Sequence, residues 1–258
     1  MKDHSLHIAT YNIHKGFSQF NRRMVVHELR ERLRSLSPDI VFLQEVQGLH
    51  LGHAEKHEDW PDQPQHEFLA EDTWRDTAYG GNAIYDHGHH GNAILSGFPI
   101  VAADNQDISD HRLEKRGMLH CQLTVPGLSS PLHCVCVHLG LLGRSRKRQM
   151  EALALRMEQL VPPEAPLIIA GDFNDWRNRA DDLLCERLQV MEVFGGAVGR
   201  PAKSFPSALP VFRLDRIYVR GLAVRSAQVH FGPPWSEISD HAALSARLSF
   251  SPLPSPLP

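Results

Sequence analysis

Leu167-Ile168-Ile169-Ala170-Gly171-Asp172-Phe173-Asn174 is a short apolar, β-branched run that breaks off in an acid and an amide. The run has strand character, and the polar residues stand where the strand ends. Other segments repeat this design. Ile8-Ala9-Thr10-Tyr11 leads into Asn12, Ile40-Val41-Phe42-Leu43 into Gln44-Glu45, and Val135-Cys136-Val137 into His138. Two segments reverse the order: Asp215 precedes Arg216-Ile217-Tyr218-Val219, and Ser239-Asp240-His241 precedes Ala242-Ala243-Leu244. If the first four strands run toward one edge and the last two away from it, all six polar segments converge there. A mixed sheet system accommodates that arrangement.

Further strand signals lie at residues 93–95, 118–125 and 243–250. Val25, Val26, Leu29, Leu33 and Leu36 fall at three- and four-residue steps and predict a helix closed by Pro38. Met150, Leu153, Ala154, Met157 and Leu160 predict a second helix before Pro162-Pro163, and residues 181–190 a shorter one through Leu183, Leu184 and Leu188. Strands outnumber helices and are spread evenly, so residues 1–250 read as one α/β domain. Gly48 to Gln65 reads as an exposed loop or irregular insertion, and the shape of Tyr79 to His90 is unreadable. The proline-rich tail, residues 251–258, reads as an extended, flexible end, since alternate residues lack a backbone donor.

Composition narrows the function classes. With 42% hydrophobic residues the chain can bury a core, and 27 basic against 30 acidic residues, a formal −3, argue against gripping nucleic acid by bulk positive charge. No apolar run approaches the ~18 residues of a membrane span. The first residues lack the apolar stretch of a signal peptide, so the expected location is cytoplasmic, with peripheral attachment to the inner membrane left open. The four cysteines, at 121, 134, 136 and 185, lack metal-type CxxC pairing and read as buried thiols, Cys134 and Cys136 facing one side of a strand.

At the expected edge, Glu45, Asp172, Asp215 and Asp240 would share a small volume with Asn12 and Asn174. Like charges so close are held most cheaply by a hard divalent cation with oxygen ligands, and Mg²⁺ or Mn²⁺ suits this set better than Zn²⁺. Such an ion polarises a phosphoryl oxygen, a carboxylate orients or deprotonates water, and a histidine paired with a carboxylate, as Asp215 and His241 are candidates to be, carries a proton toward phosphate.

At these residues the chain resembles the endonuclease/exonuclease/phosphatase superfamily. The motifs are Thr10-Tyr11-Asn12, Leu43-Gln44-Glu45, Gly91-Asn92-Ala93-Ile94-Leu95-Ser96, His138-Leu139, Gly171-Asp172-Phe173-Asn174, Leu214-Asp215-Arg216-Ile217 and Ser239-Asp240-His241, in family order from about Ile8 to Phe250. Within it the chain is most similar to small bacterial members of unassigned substrate, some encoded beside cardiolipin synthase, through Asn12-Ile13-His14-Lys15-Gly16-Phe17, Phe20-Asn21-Arg22-Arg23 and Gly171-Asp172-Phe173-Asn174-Asp175-Trp176. The resemblance implies a four-layer sandwich, two packed mixed sheets flanked by helices, and a metal-dependent phosphodiesterase or phosphohydrolase. It implies Glu45 as principal metal ligand with Asn12, and Asp240 beside the same or a second metal. Asp172 would align or deprotonate water, Asn174 would steady the transition state, and Asp215 would orient His241. His138 would contact a phosphoryl oxygen or serve the leaving group, with Asn92 and Arg116 as weaker phosphate contacts. His14 stands where many members carry a metal-assisting aspartate, and either tilts the site toward Mn²⁺ or points to solvent.

Each reading has a plainer rival. Asp215 would otherwise pair with Arg216 or Arg213, and His241 would be a satisfied buried histidine. His87, His89 and His90, like His50, His53 and His57, fit a solvated loop or substrate rim better than a zinc site. Arg144, Arg146, Lys147 and Arg148 form either an exposed first helical turn or a patch steering an anionic substrate. Trp60, Trp74, Trp176 and Trp235 are candidates to stack bases or meet lipid, but at least two of them are expected to close loops over the core. The phosphoester substrate is a phospholipid, a small diester or nucleic acid; a DNA or RNA nuclease is the rival enzyme, and a non-catalytic binding module the rival of another class. No obligate protein partner is evident in the sequence.

Overall fold

A computed structural model of the chain describes residues 4–19, 23–50, 59–85, 88–111, 114–176 and 179–250. Its strands are β1 (His4–Asn12), β2 (Ile40–His50), β3 (Asp76–Tyr85), β4 (Gly88–Ser96), β5 (Ile100–Asp107), β6 (Gly117–Leu123), β7 (Leu132–His138), β8 (Leu167–Asp172), β9 (Met191–Glu192), β10 (Asp215–Arg220), β11 (Ala223–His230) and β12 (Ala243–Phe250). Its helices are α1 (Val26–Leu36), α2 (Gln65–Ala70), α3 (Gly143–Leu160) and α4 (Arg179–Leu188). The strands form two six-stranded sheets, ordered β11-β12-β1-β2-β4-β3 and β5-β6-β7-β8-β10-β9.

Period-two alternation sorts side chains into layers. Ile8, Phe42, Ile94, Cys134, Cys136, Ile168, Ala170, Ile217 and Leu244 face the space between the sheets and form its core. Their neighbours Val135, Val137, Ile169 and Tyr218 face outward and pack under Met150, Leu153 and Met157 of α3 and Leu184 and Leu188 of α4. On the other flank Tyr11, Val41, Leu43 and Leu95 pack under Val26, Leu29 and Leu33 of α1 and Phe68 and Leu69 of α2. The result is the expected α/β/β/α sandwich. Cys134 and Cys136 do share a face, and burial pushes the Cys136 thiol up to about 12.

The strand directions are those the convergence requires. β1 runs parallel to β2, and β7 parallel to β8. β12 runs antiparallel to β1 and β10 antiparallel to β8, with Asp215 directly opposite Asp172. Asn12, His138 and Asp172 therefore end strands at the edge where Asp215 starts one and His241 lies just before another.

Several expectations change. β2 does not end at Glu45 but continues to His50, so Gly48 is a buried strand residue rather than loop. Tyr79 to His90 belongs largely to the β3–β4 pairing. The edge strand β5 shows no apolar alternation because nearly all of it is exposed, which left it without a sequence signal. α2 was missed for its length, under two turns of helix. Phe20, Asn21 and Arg22 of the family-like stretch, His53, His57, His87 and the tail 251–258 lie outside the described residues.

Gly171 shows how tightly the edge is assembled. Its φ is +146°, and a Cβ there would lie 2.0 Å from the Val137 carbonyl oxygen on the neighbouring strand. Gly171→Ala is therefore expected to cost about 3 kcal/mol, backbone strain plus displacement of β8 from β7. Urea denaturation checks this; an unchanged midpoint would contradict the packing.

Candidate active site

The polar residues of the edge meet in a cleft of about 450 Å³ whose polar side holds Glu45, Arg116, His138, Asp172, Asn174 and His241. Glu45 reaches it through a β-bulge. Leu43 pairs with Ala93 and Val46 with Gly91, so Gln44 and Glu45 together oppose Asn92. Glu45 takes up the extra residue in the left-handed region at φ +57°, a costly conformation that re-aims its side chain. Asn174 (φ +49°), His14 (φ +45°) and Lys15 (φ +60°) are likewise left-handed. Four such residues around one cleft mark it as a place where geometry outweighs local comfort.

Asn12 ties the two sheets together. Its Nδ2 donates to Asp172 Oδ2 at 3.1 Å and lies 3.4 Å from Glu45 Oε1, while its Oδ1 accepts from the His14 backbone N–H at 3.1 Å. Asp172 Oδ1 accepts from the Asn174 N–H at 2.9 Å, and its Oδ2 has His138 Nε2 at 3.4 Å and His241 Nε2 at 3.9 Å. His241 Nδ1 is 2.7 Å from Asp215 Oδ2. Asn174 Nδ2 donates to the Leu139 carbonyl at 3.0 Å, which holds the turn after β8 against the end of β7. Ser239 Oγ donates to the Asn12 carbonyl at 2.7 Å and accepts from the His241 N–H at 3.2 Å, locking the segment before β12 to the end of β1.

Burial and charge divide the ionisable groups. Asp172 and Asp215 are almost fully buried, whereas Glu45 and Asp240 keep about a fifth of their side chains exposed. Burial alone would lower His241, but the carboxylates of Asp215 and Asp172 overcome it and raise it to about 10. Burial pushes Asp172 up to about 7, with Asp215 adding to the rise and His241 opposing it. Glu45 goes the other way: burial is outweighed by His138, Lys15, His14 and His241, and it falls to about 2. His138, buried and with Arg116 nearby, is held down to about 3 by desolvation and that positive charge, and is neutral near pH 7. The cleft thus holds an anionic Glu45, a cationic His241, a neutral His138 and a carboxyl poised near neutrality.

One atom each from Asp172, Asp215 and His241 falls within 4.8 Å of the others, a spacing that can enclose an ion. His241 Nδ1 and Asp215 Oδ2 are already spent on each other, so we read these two as a hydrogen-bonded pair. The mouth is different. Glu45 and Asp240, each about a fifth exposed, offer carboxylate oxygens, the Asn12 amide offers another, and Lys15 Nζ pairs with Glu45 Oε2 at 3.7 Å. That donor set fits a hard divalent cation.

Residues 9–241 match the Endonuclease/Exonuclease/phosphatase family. The chain belongs to this family. It is 46% identical over 244 residues to YbhP of Escherichia coli strain K12, an uncharacterized protein, with 95% of this chain and 96% of YbhP aligned. Among solved structures, an endonuclease/exonuclease/phosphatase from Beutenbergia cavernae superposes with a TM-score of 0.74 at 19% identity, covering 98% of this chain and 73% of that one. The human Nocturnin catalytic domain with bound sulfate superposes with a TM-score of 0.72 at 19% identity, covering 96% and 94%.

Placed on this endonuclease/exonuclease/phosphatase fold, the candidate residues separate. Asn12, Glu45, His138, Asp172, Asn174, Asp215 and His241 come together, Glu45 by the bulge within β2 rather than at a strand end. Asp240 sits beside His14, whose Nδ1 lies 3.4 Å from Asp240 Oδ1, so His14 faces the site rather than bulk solvent. Asn92 is buried, its Nδ2 donating to the carbonyls of Gly117 and Cys136 at 2.9 and 3.3 Å, a link across the sandwich. Arg116 lines the cleft while donating to Leu139 O and Glu114 Oε1.

The plainer rivals for Asp215 give way, because Arg216 turns to the opposite face of β10 and binds Asp181 and Asp175 there, while Arg213 lies 3.7 Å from Asp181 and Glu192. The basic run is no uniform patch: Arg146 is buried and donates to the carbonyls of Gly140 and Leu141, Arg148 pairs with Asp110, and Lys147 with Glu151. Trp60 and Trp74 are buried, the latter donating to the Pro38 carbonyl. Lys15 went unassigned in the sequence, since a lysine in a Gly-containing turn carries no chemical signal there. Leu141, Phe205, Phe212 and Leu214 on the cleft's apolar side also went unassigned, whereas Trp176 among them is one of the tryptophans open to stacking a base or meeting lipid.

Proposed function

We propose that this protein is a divalent-metal-dependent phosphoester hydrolase, one catalytic domain over residues 1–250 that uses activated water and forms no covalent enzyme intermediate. The observation that carries the reading is the Asp215–His241 pair at 2.7 Å, whose free ring nitrogen lies 3.9 Å from Asp172 in a cleft that also holds Glu45. Family membership supports the reaction class.

Glu45, Asn12 and Asp240 would hold Mg²⁺ or Mn²⁺, which when bound supplies charge neutralisation to the phosphoryl group. Asp172, poised near neutrality, accepts a proton from water, and the Asn174 N–H fixes the lone pair that does not take it. His241 presents its cationic Nε2–H to a phosphoryl oxygen while Asp215 fixes the ring. His138, neutral and 3.4 Å from Asp172, donates to the phosphoryl oxygen or the leaving group. Arg116 adds positive charge to the same wall. Asn92 serves best as a buttress beneath Glu45, since its amide nitrogen is committed to two carbonyls. Substrates in scope are phospholipids and small phosphodiesters; a nuclease of the same fold is the second reading. Among the described residues no helix is long and apolar enough to cross a membrane.

The test is turnover of bis(p-nitrophenyl) phosphate, a phosphomonoester, single- and double-stranded DNA, RNA and phospholipid vesicles. Chelation should abolish it, and Mg²⁺ or Mn²⁺ should restore it. Glu45→Ala is expected to remove at least 99% of the restored activity, through loss of a metal ligand. Metal-independent turnover, or full activity in Glu45→Ala, would sink the assignment.

A further inference from the structure

The cleft has two halves of opposite chemistry. Beyond the ionisable residues, Leu141, Trp176, Phe205, Phe212 and Leu214 form a wall with a single hydrogen-bond donor, the Trp176 indole N–H. This wall is partly open: Leu141, Trp176 and Phe212 are each about half exposed. Next to them in sequence Leu142 and Val211 are also exposed, so apolar surface continues from the cleft outward. Exposing these side chains is unfavourable, and their gathering at a reaction cleft calls for a ligand.

The wall is pre-shaped. The Arg146 guanidinium lies 5.0 Å from the Trp176 ring centroid, and the same group donates to the carbonyls of Gly140 and Leu141 at 3.0 and 2.8 Å. One buried cation therefore pins two of the apolar residues, and ordering them costs little when a ligand arrives. Phe205 and Phe212 pair as a bridge, and Phe205 packs against the His241 ring with centroids 5.2 Å apart. A phosphoryl group held by His241 consequently lies next to this wall, which offers its ester substituent an apolar surface to run along.

We propose that the wall takes a hydrocarbon chain, so that the substrates are phosphoesters bearing alkyl or acyl chains, as lipids do. The proposal rests on the phosphoester reading of the same cleft and names its substrate class. A nucleobase stacks on aromatic faces such as Trp176, Phe205 and Phe212, but its edge donors and acceptors meet a wall with one side-chain donor among the described residues, so it is the competing occupant that the titration distinguishes.

Binding of inert phosphonates separates this proposal from the hydrolytic one. Calorimetric titration in Mg²⁺ buffer compares methylphosphonate, octylphosphonate below its micelle concentration, and adenosine 5′-monophosphate. Octylphosphonate is expected to bind about thirtyfold more tightly than methylphosphonate, the scale set by burying a few methylenes. In Trp176→Ala/Phe212→Ala, two exposed positions whose loss leaves the core intact, that ratio is expected to fall below threefold. Equal affinities, no binding of octylphosphonate, an unchanged ratio in the double variant, or tighter binding of the nucleotide each overturn the proposal. Lack of turnover on every diester would instead count against the hydrolase reading and leave the chain-length ratio standing.

Discussion

His241→Ala should lower kcat/KM by about 10³-fold on whichever phosphoester the protein hydrolyses, and Asp215→Asn should lower it nearly as far. The two residues act as one device. Asp215 is the first residue of β10, buried, with one carboxylate oxygen 2.7 Å from His241 Nδ1. That bond fixes the ring so that Nε2 faces Asp172 and the reacting group, and the negative charge of Asp215 keeps the ring cationic far above the usual histidine range. Replacing the carboxylate with an amide keeps the shape but removes the charge, and the imidazole loses its proton near neutrality. Because both substitutions disable the same cation, the double variant should be no worse than His241→Ala alone. Single-turnover kinetics on all three variants checks this. Multiplicative losses would mean that Asp215 and His241 act separately, and the pairing would then have no catalytic meaning.

Arg216→Met should destabilise the fold by about 3 kcal/mol, the cost of removing the main cation from the buried carboxylate of Asp175, which among the described residues keeps only Arg146 Nε at 3.8 Å. Arg216 is 1% exposed, and Asp175, which it binds through Nη2, is fully buried. Its Nη1 donates to Asp181 Oδ1 at 2.8 Å and to the Tyr218 hydroxyl at 3.1 Å, and that hydroxyl donates to Asp181 at 2.6 Å. Asp175 also accepts from the Ala180 N–H at 2.8 Å at the start of α4. The network thus fastens β10, the turn carrying Asn174 and the first turn of α4 into one unit behind the catalytic edge. Lysine cannot reproduce the planar fork, so Arg216→Lys should recover less than half of the loss. Guanidinium denaturation of the three proteins measures both effects. A change below 1 kcal/mol in Arg216→Met would show that the network contributes little net stability.

Much of the site was legible because catalytic residues at strand ends leave a local mark. An apolar run that stops in Asn12, His138 or Asp172 signals both the strand and the place where its side chains become available for chemistry. The bulge at Glu45 was not legible. Its residues read as the end of β2 because an extra residue disrupts the alternation just as a terminus does. The β3–β4 pairing and the edge strand β5 also escaped, since exposed or two-sided strands carry no hydrophobic period. Arg216 looked like a rival partner for Asp215 because adjacent residues in a sequence seem close. In a strand they point to opposite faces, and the two side chains serve different layers.

The sequence by itself determined the α/β class, the position of most core strands, and the identity of the polar groups at one edge. These depend on periodicity and on residue chemistry, both of which are local. Only the tertiary structure decided that Glu45 enters the cleft through a left-handed bulge, that His14 and Lys15 stand beside the acids, and that Asp215 holds His241. It alone assembled Leu141, Trp176 and Phe212, from three distant segments, into a wall beside the phosphate-handling residues. Such contacts are set by strand register, sheet stacking and loop packing, which join residues far apart in the chain and leave no pattern along it.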